Sequence, residues 1–483
     1  MAETTTETTT VIRNCRWLIA WDGPENQQVF LRGADLAFRG SDIIHCGPDY
    51  KGPAGLEIDG RDRMVMPGLI DIHSHPMSEP MNKGFSEEVG SKYLGMSSLY
   101  EYLPIFRPDE VGTAASAEVA YCELLLSGVT TLVDMSVPWD GWQALMAQSG
   151  LRGVLAPMFR SGYWYTPNGH EVLYEWDEAG GRAGMARTLQ IIQRAQQDPS
   201  GRLGGMLTPS QADTCTEDLL REAAAESRQR GLQMQIHAAQ SVVEFNEMTR
   251  RHGLTPIEWL NSIGFLGDNT SIAHCIFLDH HSWVRWPTRR DLDLLADSGT
   301  SVAHCPNVFV RRGITLENLG HYLDRGINVG IGTDTFPHNM LDEMRWAGVL
   351  ARVAAQNVDA VKAGGVFNSA TIGGAKVVGR DDIGRLAVGA KADVVLVDTA
   401  HPAMLPGREP LRALIYSAQD RAVRDVYVDG RQVVAEGKVL TMDYADAAGR
   451  LDEAQHRAEL AVPGLDWGNR PIDEIVPSSL PIR

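Results

Sequence analysis

The sequence predicts an α/β protein: a (β/α)8 TIM-like barrel carrying a smaller β-sandwich domain formed by both chain ends. Three observations predict it. From about Pro67 to Gly384, short apolar runs alternate with helical patterns, the rhythm of a parallel barrel. Strand-like texture fills the chain before Pro67 and returns after Gly384. Histidines and one aspartate stand at the ends of several middle runs, where barrel strands deliver side chains to one face. At 483 residues the chain is long enough for both units. The expected division is residues 1–66 and 385–445 for the two parts of the sandwich, 67–384 for the barrel, and 446–483 for a helix and tail.

Residues 1 to about 9 are a Thr/Glu stretch, expected to be disordered. Val11–Ile19 and Gly33–Phe38 read as strands between Gly, Asp and Asn turns. Gly128–Asp134 and Gly153–Pro157 read as barrel strands. Pro199–Gly205 reads as a surface loop, and the fourth strand is expected to end near Leu207–Ser210. Leu219–Ser227 reads as an amphipathic helix that Thr216 could cap. Ala392–Asp398 and Arg424–Gly430 are strand-like, the second ending in a turn signal. After about residue 446 comes a charged helix, then a Pro-rich tail expected against a neighbouring subunit.

The formal charge is 44 − 62 = −18. That balance argues against nucleic acid or an anionic membrane as partner and favours a neutral or cationic small molecule. Six cysteines are spread without framework spacing, which fits reduced thiols in a cytoplasmic protein. No apolar run approaches the ~20 residues that cross a bilayer.

His73 and His75 end the run Val65–Ile72. Side chains alternate along a strand, so both imidazoles point to one side, where two can chelate one metal ion. One His-x-His pair is weak evidence. The signal strengthens because His237, His274 and Asp334 each end a further β-rich run, and a barrel would bring them together. A divalent metal among them would keep a position for water and lower that water's pKa to about 7.

These residues, with Ala303-His304-Cys305-Pro306-Asn307, Gly332-Thr333-Asp334 and Ile383–Asp393, make the chain resemble the amidohydrolase superfamily over nearly its whole length. It is most similar to the single-metal branch of cytosine and guanine deaminases and triazine hydrolases. The resemblance implies one divalent metal, zinc first with iron, cobalt or manganese as alternatives, held by His73, His75, His237 and Asp334. It implies that Asp334 also takes the proton of the attacking water, and that His274 bonds the bound hydroxide or the substrate oxygen, or else is itself a ligand. No lysine stands at the end of the fourth strand, where two-metal relatives bridge their ions. His304 and Asn307 match family positions; His304 is open between substrate contact and loop packing. His338, four past Asp334, is open between substrate contact and a surface place. His280 and His281 are expected in solvent.

The chain also departs from the branch. Its deaminases carry His-x-x-Glu at the fifth strand; here the stretch is His237-Ala238-Ala239-Gln240, and Gln240 can contact substrate but cannot transfer a proton as a carboxylate can. Ser210 stands where many relatives have a histidine, and Phe277 where some have a polar contact. The mouth loops are rich in aromatics and methionines, among them Met77, Met81, Tyr100, Tyr163 and Phe336, which suits an apolar substrate or ordinary lid packing. The expectation is therefore a hydrolase that uses a metal-bound hydroxide on a non-peptide C–N bond of an amide, urea or carbamate-like substrate. Gln240 and the segment 332–340 are similar to phenylurea and thiocarbamate hydrolases. The alternatives are an aminohydrolase or dechlorinase of a nitrogen heterocycle, and a non-catalytic scaffold. A homo-oligomer is expected.

Overall fold

The computed structural model describes residues 8–91, 93–317 and 319–483. Residues 1–7 of the Thr/Glu stretch lie outside the described residues, and its last residue, Thr9, opens a strand.

Eight parallel strands form a barrel: Leu69–Ser74, Val129–Asp134, Arg152–Leu155, Leu203–Gly205, Met234–Ala238, Thr270–His274, Ser301–His304 and Val329–Ile331. The first four pair in chain order, as do the last four. Single bridges, Leu207 to Met234 and Ser74 to Asp334, close the ring. At the second seam the N–H of His75 donates to the Asp334 carbonyl (2.9 Å) and that of Asp334 to the His73 carbonyl (2.7 Å). Ring closure itself thus sets three of the expected site residues side by side. Ile70, Ile72, Val133, Met135, Met206, Ala273 and Ala303 fill the interior. Small residues let the strands close: a Cβ on Gly332 would lie 2.6 Å from the Cβ of His73.

A seven-stranded sheet joins the two chain ends, because Val394–Asp398 runs antiparallel to Arg63–Pro67. A four-stranded sheet, Asp42–Gly47, Ala34–Arg39, Thr9–Cys15 and Leu56–Asp59, faces it. Leu18, Leu36, Phe38, Val65, Val394 and Leu396 pack between them. The expected strand over Val11–Ile19 is two strands, Thr9–Cys15 and Trp17–Asp22, parted at Arg16 just after a bulge where Asn14 has φ 53°. One belongs to each sheet.

Two local expectations are corrected. Leu203–Gly205, expected in a loop, is the fourth barrel strand, and Thr208–Pro209 extends it beside Met158–Phe159. Its glycines hid it. Gly205 is there for packing, since a Cβ on it would meet Ile192 Cγ1 at 2.6 Å. Thr216 precedes the helix Glu217–Arg230 but its hydroxyl bonds Glu178 instead of capping. The C-terminal helix runs Tyr444–Leu465 and lies on the chain's own helix Glu110–Leu126, with Arg450 and Arg457 bonded to Glu118 and Asp109 (2.6 Å each). Beyond it, Trp467 and Arg470 both donate to Glu101 (2.9 Å). Through Arg470 this segment is fastened to its own chain. Among the described residues no helix is long and apolar enough to cross a membrane. All six cysteines are unpaired.

Candidate metal centre

Four strand ends build the centre. His73 is buried at the end of the first strand, and His75 follows it. His237 and His274 end the fifth and sixth strands, and Asp334 follows the eighth. Two of these exits are bent: His274 has φ 78° and Asp334 φ 58°, and Ala239, two past His237, has φ 55°. Left-handed backbone is uncommon outside glycine and gathers at functional sites, where it re-aims side chains.

Three histidines share one arrangement. His73 Nδ1 is 2.6 Å from Gln235 Oε1, His75 Nδ1 is 2.8 Å from the Met135 carbonyl, and His237 Nδ1 is 2.6 Å from the Ser210 carbonyl. Each partner atom is an acceptor, so each Nδ1 carries the proton and each Nε2 keeps a bare lone pair. Those lone pairs converge. His75 and His237 Nε2 are 3.3 Å apart, and Asp334 Oδ1 lies 3.3 Å from His75 Nε2 and 3.6 Å from His73 Nε2. His73 Nε2 is buried without a hydrogen-bond partner. Two acceptor nitrogens in contact repel unless a cation lies between them. Ligands 2.0–2.3 Å from a tetrahedral ion stand about 3.4 Å apart, which is the spacing seen. The donor set therefore fits a divalent metal, with second partners that fix each imidazole's tautomer.

Burial pushes the imidazoles of His75, His237 and His274 down, the last to about 3, so they are neutral and fit to bind. His274 differs from the other three. Its Nε2 is 3.9 Å from Asp334 Oδ2, and its buried Nδ1 has no partner to fix the tautomer.

The sequence pattern of the amidohydrolase family matches residues 64–433. The chain belongs to that family. It is 29% identical to a 5'-deoxyadenosine deaminase of Methanosphaera stadtmanae over 82% of this chain and 88% of that one. In fold this amidohydrolase is similar to an adenosine deaminase from Xanthomonas campestris with bound zinc (TM-score 0.79, 22% identity, 93% of this chain and 98% of that one). It is also similar to a zinc complex of atrazine chlorohydrolase from Arthrobacter aurescens TC1 (TM-score 0.77, 21% identity, 92% and 100%).

The remaining expected residues of this amidohydrolase are placed differently. Gln240 is buried, and its Nε2 donates to Gln211 Oε1 (2.7 Å). Glu244 does not replace the missing carboxylate: it is buried in the next helix and accepts from the N–H groups of Ala239 and Gln240 (2.8 and 2.9 Å). His304 is buried beside His274 and Cys305 in the lining of one small cavity, its ring pushed down to about 4 by burial. Asn307 is turned to Asp342 (3.3 Å), at the start of the helix Met340–Ala355. His338 is fully buried, 3.1 Å from Ser74 Oγ and 3.0 Å from Thr333 Oγ1. Ser74 lies between His73 and His75, so its side chain points away from theirs, and His338 braces that outer side. His281 is buried against Phe277, not in solvent.

Sequence reasoning missed the bracing groups. Asp71 accepts from the N–H of His73 (3.1 Å) and from the N–H and hydroxyl of Thr333 (3.1 and 2.7 Å), tying the first strand to the eighth. Burial pushes its carboxyl up to about 7. A polar residue placed two before a strand-end histidine, on the same strand face, is the signal that could have found both Asp71 and Gln235.

Proposed function

We propose that the chain is a single-metal aminohydrolase that displaces an amino or similar leaving group from a carbon of a nitrogen heterocycle. Three clustered Nε2 lone pairs, two of them facing Asp334, carry the reading, in a chain whose curated relatives are named as deaminases of deoxyadenosine and methylthioadenosine. A divalent ion, zinc first, held by His73, His75, His237 and Asp334 would supply an acidified water and a Lewis acid.

The chain's own residues do the rest. Asp334 Oδ2, the oxygen not turned toward His73 and His75, takes the water's proton and delivers it to the leaving group. His274 Nε2, beside that oxygen, hydrogen-bonds the oxygen added to the substrate carbon. Gln240, one of whose two amide N–H groups is committed to Gln211, offers Oε1 to accept from a substrate N–H. Near-complete burial of all these groups excludes bulk water.

That same amide supports a second reading, hydrolysis of an amide, urea or carbamate. Such a substrate needs no carboxylic acid to protonate a ring nitrogen, and Gln240 can supply none. Product mass spectrometry separates the two. Metal-loaded protein would be incubated with adenine nucleosides, aminotriazines, N-aryl ureas and anilides. Exchange of NH2 for OH adds about one mass unit to a heterocycle and supports the first reading, whereas release of an aniline from an anilide or urea overturns it in favour of the second.

A further inference from the structure

We propose that Gln211 is a positioning residue: paired with Gln240, it lets the site present either an amide oxygen or an amide N–H to a ring nitrogen of the substrate. This rests on the aminohydrolase reading above and deepens it, since there Gln240 is only an acceptor. Both side chains are buried, Gln211 2% and Gln240 5% exposed. Their backbones are pinned. Gln211 follows Ser210, whose carbonyl meets His237 Nδ1 (2.6 Å), and its own carbonyl accepts from the N–H and hydroxyl of Thr214 (3.1 and 3.2 Å). The N–H of Gln240 donates to Glu244 Oε2 (2.9 Å). The freedom that remains is rotation of the two carboxamides.

One hydrogen bond joins them, from Gln240 Nε2 to Gln211 Oε1 (2.7 Å). The other end of Gln211, its Nε2, is buried without a partner among the described residues. An amide has a donor end and an acceptor end of nearly the same shape. Half a turn of both amides therefore exchanges that bond for one from Gln211 Nε2 to Gln240 Oε1, and Gln211 has no bond to lose at its far end. Gln211 also faces Tyr100, whose hydroxyl is 2.8 Å from Ser241 Oγ, and a hydroxyl serves a donor or an acceptor alike. Hydrogen bonding inside the protein thus leaves the sense of the pair open. What stands at the free end of Gln240 chooses it.

In an amino-substituted heterocycle the ring nitrogen beside the carbon under attack bears a lone pair, and in the oxo product it bears a hydrogen. A reversible pair bonds both: it donates to the first through Gln240 Nε2 and accepts from the second through Oε1. The pair itself moves no proton, which an amide cannot do. The ligands it suits are heterocycles with a ring nitrogen next to the reacting carbon, in either protonation form.

Side-chain amide NMR of the zinc-loaded full chain, labelled with nitrogen-15 glutamine, tests this. Gln211→Met and Gln211→Glu each identify the Gln211 signal by its loss. The probes are 6-methylpurine riboside, whose ring nitrogen has a lone pair and whose methyl group cannot leave, and inosine, whose ring nitrogen has a hydrogen. Both are expected to bind. The Gln211 amide proton should lie further downfield with the first probe, where it donates to Gln240, than with the second. Gln211→Met should weaken both probes roughly tenfold, through the loss of one buried hydrogen bond. A Gln211 signal that responds alike to both bound probes would leave the aminohydrolase reading standing and overturn the reversal. Binding of only one probe, the sign of a pair fixed in one sense, would overturn it too, as would unchanged affinity in Gln211→Met. Binding of neither would overturn the contact with a ring nitrogen and leave the metal centre in place.

Discussion

At the scale of single residues, the candidate centre is held by atoms outside its proposed ligand set. Gln235 fixes His73 through a 2.6 Å contact and is itself held by donating to the Ile72 carbonyl and Ser271 Oγ (3.1 and 2.9 Å). Gln235→Met keeps the volume and removes the acceptor. The folded variant is expected to bind metal 10–100-fold more weakly, read by competition with a chromophoric chelator. Unchanged affinity would show that the tautomer of His73 needs no anchor. Asp334→Asn tests the proton step instead. It should leave the far-ultraviolet circular dichroism spectrum unchanged and abolish turnover, since an amide cannot accept and return a proton. The ligand-type residues were legible in the sequence because each ends an apolar run. Their anchors were less so. Two are backbone carbonyls, of Met135 and Ser210, and no side-chain pattern marks a carbonyl. His338 misled for a related reason: its spacing from Asp334 is visible, but the cluster with Ser74 and Thr333 that buries it depends on strand pairing.

At the scale of elements, period and turn chemistry marked most strands, and failed where packing required glycine. In Leu203-Gly204-Gly205 the last position cannot be β-branched, because the helix Glu178–Gln196 presses on Gly205 through Ile192. The reverse case is Gly112, in the first turn of the helix Glu110–Leu126. Alanine is the better helix former by up to about 1 kcal/mol, so propensity alone predicts that Gly112→Ala stabilises. The structure predicts the opposite. A Cβ there would stand 2.8 Å from the Cβ of Ala454 on the C-terminal helix, and neither atom can swing aside. Overpacking of this kind costs about 1–3 kcal/mol, more than the propensity gain. A lowered denaturation midpoint is expected for Gly112→Ala, with recovery when Ala454→Gly is added. A midpoint that rises in the single variant would mean the two helices separate freely.

At the scale of the whole molecule, stability and chemistry occupy opposite ends of the barrel. The proposed metal ligands sit at the C-terminal ends of the strands, whereas Arg152 opens the third strand at the N-terminal end. Its guanidinium is 3% exposed and bonds Asp393 through Nε and Nη2 (3.0 Å each) and Asp429 through Nη2 (2.9 Å). Asp393 also accepts from the Asp429 N–H (2.8 Å), and its carbonyl accepts from the Gly68 N–H (2.9 Å). One buried cluster thus ties the barrel to the sheet that both chain ends build. A buried ion pair adds little net stability, but removal of one partner strands a charge at a cost of about 3–5 kcal/mol. Asp393→Ala is therefore expected to lower unfolding stability by that amount in denaturant titration. Arg152→Met combined with Asp393→Ala should regain part of it, because no arginine is then left buried with only the half-buried Asp429. Since the centre is at the far end, the folded Asp393→Ala protein should still bind one equivalent of metal with unchanged affinity at denaturant concentrations below its transition. Loss of metal in the folded variant would show that the two ends are coupled, and that the sheet holds the ligand strands in place as well as the barrel together.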